Sequence, residues 1–276
     1  PSPASMCCTP GPVPSPACGS TDRHPPEKTL HMFPLIRGWT DVQRSPKANL
    51  RLGLVLSFVA GATNAGGFLA VGRYTSHMTG IVSSVADDLV LGRVSLALAG
   101  VICLMAFVAG AMCTAIIVNW GLRQQLRSSY SLPLLLESAA LLVFGLFGAA
   151  IANWSQVFLP VTVVLLCFIM GLQNAVITKI SKAEIRTTHI TGLVTDIGIE
   201  LGKWVYLNRL QEPTPVRANR ERLQIHAGLV LAFLLGGLLG ALGFQHAGYV
   251  TTVPLAGLLW LLSLRPMLDD LRQRAA

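Results

Sequence analysis

Long apolar runs set the pattern of this chain, at about 52–72, 95–119, 132–153, 158–178, 225–244 and 248–264. At about 1.5 Å rise per residue, roughly 20 such residues cross a hydrocarbon core, so each run predicts a transmembrane helix. Two shorter apolar stretches, 78–92 and 190–203, carry Asp87 and Asp88, or Asp196 and Glu200. Whether these also cross decides the architecture. Residues 1–48 are rich in Pro, Ser and charge, show no apolar periodicity and read as a disordered tail.

A polar motif interrupts the apolar pattern twice. Tyr74-Thr-Ser-His-Met-Thr-Gly80 is matched by Arg186-Thr-Thr-His-Ile-Thr-Gly192. Upstream of each stands Gly-x-x-Asn-Ala, at Gly61 to Ala65 and at Gly171 to Ala175. Asn to His is 13 positions in the first copy and 15 in the second. Two blocks in one order at nearly equal spacing imply an internal duplication.

The distribution of Lys and Arg chooses among topologies, because these residues stay cytoplasmic in short loops. If both short stretches crossed, Arg123, Arg127, Lys179, Lys182 and Arg186 would fall outside. If each instead dips in and returns, these residues collect inside with Arg44, Lys47, Arg51 and Arg265, and only Arg73 and Arg93 remain outside. Segments 154–157 and 245–247, the outside loops of that arrangement, contain no Lys or Arg. The expectation is therefore an all-α polytopic membrane protein with six transmembrane helices. These form two inverted three-helix repeats, 49–156 and 157–268, each with a re-entrant or broken short helix. Both termini, including the tail 269–276, are expected to be cytoplasmic. Three spans and one returning element per copy make the second copy enter from the opposite face. Secondary transporters commonly use such repeats, with broken helices meeting near the midplane.

The blocks Phe58-x-Ala-Gly-x-x-Asn-Ala-x-Gly-Phe68, Thr-Ser-His-Met-Thr-Gly80 and the run from Met170 to Gly202 resemble the YoaK-type family of bacterial membrane proteins of unknown function. The similarity covers about 50–265, with Lys179 and Ile81 as departures from the Arg and Asn of the pattern. It implies a six-span inner-membrane protein and supplies no substrate.

His77 and His189 occupy matching places, and an imidazole near the membrane interior can shuttle a proton or donate to an anion. It can equally satisfy backbone groups freed by a broken helix. Thr79 with Gly80, and Thr191 with Gly192, read as starts of short helices, whose free N–H groups favour an anion or carboxylate. Asn64 and Asn174 are buried amides suited to a substrate or to a neighbouring helix. Asp196 and Glu200 share a helix face. Together with Asp87 they are the acids considered for proton or ion coupling, against the alternative of interfacial pairs with Lys203 or Arg93. Glu184 and Arg186 resemble a gate pair. The segment 203–222 reads as a basic topology anchor. Gly236, Gly237, Gly240 and Gly243 offer a face for helix packing or a homodimer.

Composition agrees with a bilayer partner: 52% of the 276 residues are hydrophobic and 12% charged, with a mean hydropathy of +0.58. The net charge of +8 lies in segments between apolar runs, so it reads as topology rather than nucleic-acid binding. Six cysteines show no metal or disulfide spacing, and no cofactor or metal is expected. The leading functional reading is a secondary transporter of a small solute or ion, anionic and proton-coupled, with both Thr-His-x-Thr-Gly elements at a central site. The alternatives are an intramembrane enzyme using His189, Asp196 and Glu200, for which no HExxH or GxSxG motif speaks, and a non-transporting membrane adaptor.

Overall fold

The computed structural model describes residues 46–181, 187–206 and 215–275, and within them every regular element is helical. Helix α1 is Pro46–Val71, α2 Met78–Val90, α3 Val94–Arg123, α4 Ser131–Ile180, α5 Ile190–Val205, α6 Arg220–Ala247 and α7 Thr252–Ala275. Short 3-10 turns, Arg127–Tyr130 and Gly248–Thr251, lead into α4 and α7. Most of these bounds fall within a few residues of the apolar runs, because a backbone without water must bond to itself.

Two regions differ from the expectation. The apolar runs 132–153 and 158–178 belong to one helix, α4, with no loop at 154–157. A straight helix would put residues 144 and 166 about 33 Å apart. However, the Phe144 and Phe244 rings lie 6.1 Å apart, and the Phe244 ring fills the space a Cβ on Gly66 would need. Leu166 comes within 3.2 Å of a Cβ position on the next residue, Gly67. That path is too short for a rod, so α4 bends. Pro160, inside the helix, lacks the N–H that would continue the ladder there. At the other end, α7 runs past the apolar run 248–264 to Ala275. Asp270 anchors it by accepting the N–H groups of Arg127 and Ser128, both at 2.9 Å.

Among the described residues, five stretches are long and apolar enough to cross a membrane: Lys47–Val71, Val94–Arg123, Arg127–Gly148, Phe158–Ile180 and Arg220–Gln273. The last, at 54 residues, contains both α6 and α7, separated at Gly248, whose φ of 61° lies in the left-handed region that favours glycine.

Close pairing of α1 with α6, and of α3 with the second limb of α4, builds the bundle. A Cβ on Gly61 would collide with the carbonyl oxygen of Phe233, and one on Gly236 with that of Phe58. The same reciprocal contact joins Gly171 to Phe107 and Gly110 to Phe168. Glycine lets these backbones approach without a side chain between them, the usual basis of helix association in lipid. Gly236 and Gly240 are thus spent inside the chain, on Phe58 and Ala62 of α1; the packing reading of that face holds, and the homodimer reading loses these two residues.

The contacts also fix helix directions. Along α1 and α6, Leu54 meets Gly228, Gly61 meets Phe233 and Gly237, and Gly66 meets Phe244, so the two run parallel. Between α1 and the second limb of α4 the order reverses. Gln173 Nε2 donates to the Leu56 carbonyl at 2.9 Å, whereas Gly67 lies beside Leu166. These two helices are antiparallel. Leu56, Val59, Leu166, Ile169 and Met170 are buried around the crossing, while α3 turns Ile102, Met105, Met112 and Ile116 outward, as a lipid-facing helix would.

Candidate functional site

Each polar motif forms a short hairpin tied back to the helix before it. In the first, α1 ends at Val71, Gly72 turns the chain at φ 70°, and Ser76 Oγ donates to Asn64 Oδ1 at 2.9 Å. In the second, Thr188 Oγ1 donates to Asn174 Oδ1 at 2.6 Å, while Asn174 Nδ2 donates to the Met170 carbonyl at 2.7 Å. Both asparagines therefore commit their amide oxygen to holding a hairpin. The preceding residues, Thr75 and Thr187, are buried, and each hydroxyl oxygen is without a hydrogen-bond partner.

The short helices begin one residue after each histidine. His77 is the N-cap of α2 (φ −92°, ψ 73°) and His189 that of α5 (φ −85°, ψ 53°), and neither makes a side-chain capping bond. Thr79 and Thr191 are therefore not the cap residues of these helices. Both lie in the first helical turn, downstream of the cap position, and both are exposed. The first-turn N–H groups have no carbonyl within the helix to bond; that of Met78 turns back to the Ser76 carbonyl at 3.2 Å, and neither cap histidine bonds any of the others. The glycines acquire a definite role. A Cβ on Gly80 would strike Nδ1 of His77, and one on Gly192 would strike the ring of His189. Each imidazole folds back over the first turn of its helix, and the space it occupies exists because residue i+3 has no side chain.

The two hairpin units do not share atoms. From the pairing of Leu56 with Gln173 and Gly67 with Leu166, Asn64 and Asn174 lie on opposite sides of the α1–α4 crossing. Their separation along the bundle is roughly 10 Å at 1.5 Å per residue. Both histidines are exposed on the chain's own surface.

The acids at the far ends of the short helices serve as links. Asp87 is exposed, and its neighbour Asp88 is the buried one, meeting the Arg93 guanidinium at 2.9 Å. Glu200 is buried and binds Lys203 Nζ at 2.8 Å and the N–H of Asn219 at 2.7 Å. The lysine bond first, and then the Asn219 N–H, hold its carboxyl below the usual carboxylate range. Arg93 and Asn219 are the N-cap residues of α3 and α6, so each carboxylate fastens a short helix to the start of the next long one. Asp196 is partly exposed and lies 3.4 Å from Arg222 and 3.7 Å from Nδ1 of His226. His189 is seven and eleven residues from these two acids on the same helix, about 10 and 16 Å. The enzyme reading requires all three to meet at one reacting atom, and these spacings along α5 keep them apart. No group of three or more His, Cys, Asp or Glu among the described residues could hold a metal ion. The Glu184–Arg186 pair lies outside the described residues.

Two buried polar residues escaped the sequence reading. His226 stands at the polar edge of the run 225–244 and is buried. Glu137 is the lone acid of the run 132–153, and that isolation was itself the available signal. It is fully buried, and both carboxyl oxygens lack a hydrogen-bond partner.

A chain of apolar helices long enough to span a bilayer, with polar hairpins tied into the helices, is an all-helical membrane protein. It belongs to the family described as "Protein of unknown function (DUF1275)", whose model matches residues 52–264; the YoaK-type resemblance is consistent with that membership. No curated protein and no solved structure matches the chain.

Proposed function

We propose that this protein is a secondary transporter of a small solute or ion in the bacterial inner membrane, built from two inverted repeats, with both termini cytoplasmic. The observation that carries this reading is the doubled hairpin unit. In each copy a His sits at the N-terminus of a short helix, its ring lies over a Gly, and a Ser or Thr beside it is tethered to an Asn of the preceding helix. The inversion is supported by the antiparallel course of α1 and the second limb of α4, which carry the equivalent asparagines. Counting the Arg220–Gln273 stretch as two crossings, split at Gly248, gives six spans.

Exposed imidazoles and the N-terminal ends of two short helices suit a solute that accepts hydrogen bonds, and an anion or carboxylate does so most strongly. In this reading the site residues are His77, Thr79, Gly80, His189, Thr191 and Gly192, with Asn64 and Asn174 positioning them. Two units on either side of the midplane suit alternating access, one facing each compartment in turn. Among the acids, Asp196, next to His226, fits proton coupling better than Asp87 or Glu200.

A proteoliposome uptake screen of small organic and inorganic anions, with and without a pH gradient, tests the proposal. Flux should fall at least tenfold in His77→Ala and in His189→Ala. Unchanged flux in both variants would remove the site assignment.

A further inference from the structure

We infer that Glu137 is a protonation site inside the helix bundle, holding one proton in the closed bundle and releasing it when the surrounding helices admit water. Glu137 lies ten residues into the span that begins at Arg127, about 15 Å from that polar end. A Glu side chain cannot reach water across that depth. It shares the inward face of α4 with Leu134, Leu141 and Phe144, all at 0% exposure, and is itself at 0%.

Neither carboxyl oxygen has a hydrogen-bond partner. A carboxylate anion in such a place would carry its full desolvation penalty with nothing to offset it, so the neutral acid is the form that fits.

Among the described residues no neighbour supplies a counter-charge. On α7, Asp270 is level with Arg127 and the Ala256 carbonyl is level with Ser138, so Arg265, Asp269 and Asp270 lie toward the surface end. On α1 the charges are Lys47 and Arg51, in its first turns. On α3 they are Arg123, in its last turn, and the thiols Cys103 and Cys113. Arg127 and Tyr130 precede α4, Cys167 and Lys179 follow on its second limb, and Tyr249 lies in the turn before α7. None of them bonds Glu137. Release is a simple ionisation: the O–H bond breaks, water takes the proton and the carboxylate keeps the electron pair. It requires that water arrive, which ties protonation to conformational change. The coupling role rests on the transport reading, whereas the protonation itself does not.

Infrared spectroscopy of the full chain in lipid tests this without a substrate. At neutral pH the wild type should show a protonated-carboxyl carbonyl band that is lost in Glu137→Gln and displaced in Glu137→Asp, which retains the acid should the amide fold poorly. On transfer to D2O the band should shift within minutes, because a proton that leaves and returns is replaced by deuterium. Absence of the band means an ionised Glu137, and a band that does not exchange over hours means a sealed structural acid; either overturns the inference. If the band exchanges but the uptake screen finds no solute, the protonation site stands and the transport reading fails.

Discussion

Thr188 Oγ1 donates to Oδ1 of Asn174 at 2.6 Å, bridging fourteen positions of chain and fixing where His189 enters its helix. Ser76 and Asn64 make the same bond at 2.9 Å in the other hairpin. Side-chain hydrogen bonds between helices in lipid average about 0.6 kcal/mol and reach about 1.7 kcal/mol. A double-mutant cycle of Thr188→Ala with Asn174→Leu should give a coupling in that range by reversible unfolding in detergent. Amide exchange at 187–193 should rise in both single variants. A coupling near zero would mean the hairpin is held by something other than this bond.

The glycine pairs make a sharper stability test, because the collision is with backbone. Gly61→Ala places its Cβ against the Phe233 carbonyl, and Gly171→Ala against that of Phe107. Overpacking of this kind costs about 1–3 kcal/mol. Gly198 in α5 has nothing within 4 Å of its Cβ position, so Gly198→Ala should be neutral or stabilising by up to about 1 kcal/mol through helix propensity. Thermal unfolding of the three variants in one detergent separates the sites. Equal effects would deny that the close backbone approach matters.

Much of this arrangement could be read from residue order. Apolar length located α1, α3, α6 and α7, and the repeated Thr-His-x-Thr-Gly located both hairpins, because span length and broken-helix polarity are local properties. What could not be read depends on contacts between distant segments. Asn64 and Asn174 suited a substrate or a neighbouring helix; their amide oxygens hold hairpins, and a sequence does not say which partner an amide meets. Asp88 rather than Asp87 faces Arg93, a choice set by helix rotation. The continuous α4 was hidden by a polar interruption at 153–156, which resembles a loop although Pro160 lies four residues beyond it. Gly80 and Gly192 were read as helix starts, and their service to the imidazole ring requires knowing the ring's rotamer.

Gly80→Ala and Gly192→Ala should therefore mimic loss of the histidine without touching it. Both positions are helical, so the backbone accepts Ala and even favours it; what the methyl disturbs is the ring above. If the imidazoles contact solute, each variant should lose flux to within about threefold of the corresponding His→Ala variant while unfolding no earlier than wild type. Full flux in both would mean that ring placement over the helix start is irrelevant to the function.

Acid should loosen the link between α5 and α6. Glu200 titrates below its ordinary range because Lys203 and the Asn219 N–H favour its charged form. A depressed folded value means that the stabilisation is fully present above the unfolded Glu value of about 4.3 and is lost as pH falls through the folded one. The stability difference between wild type and Glu200→Gln should be constant near neutrality and vanish below the folded value. A difference that instead grew on acidification would reverse the sign of the argument.

Membrane sidedness gives a test independent of transport. Lys179 Nζ donates to Asn119 Oδ1 at 2.9 Å, which places the ends of α3 and α4 at one level, and Arg123 closes α3 just beyond. The proposed topology puts this end in the cytoplasm. Single cysteines at 123 and 179, in a background lacking the other cysteines, should react with an impermeant maleimide in inverted vesicles and stay unreacted in intact cells. Because the hydrogen bond joins the two ends, both positions must label from the same face whichever face that is. Labelling of both from outside would invert the topology while keeping the fold, and opposite labelling of the two would contradict the parallel pairing of α3 with the second limb of α4.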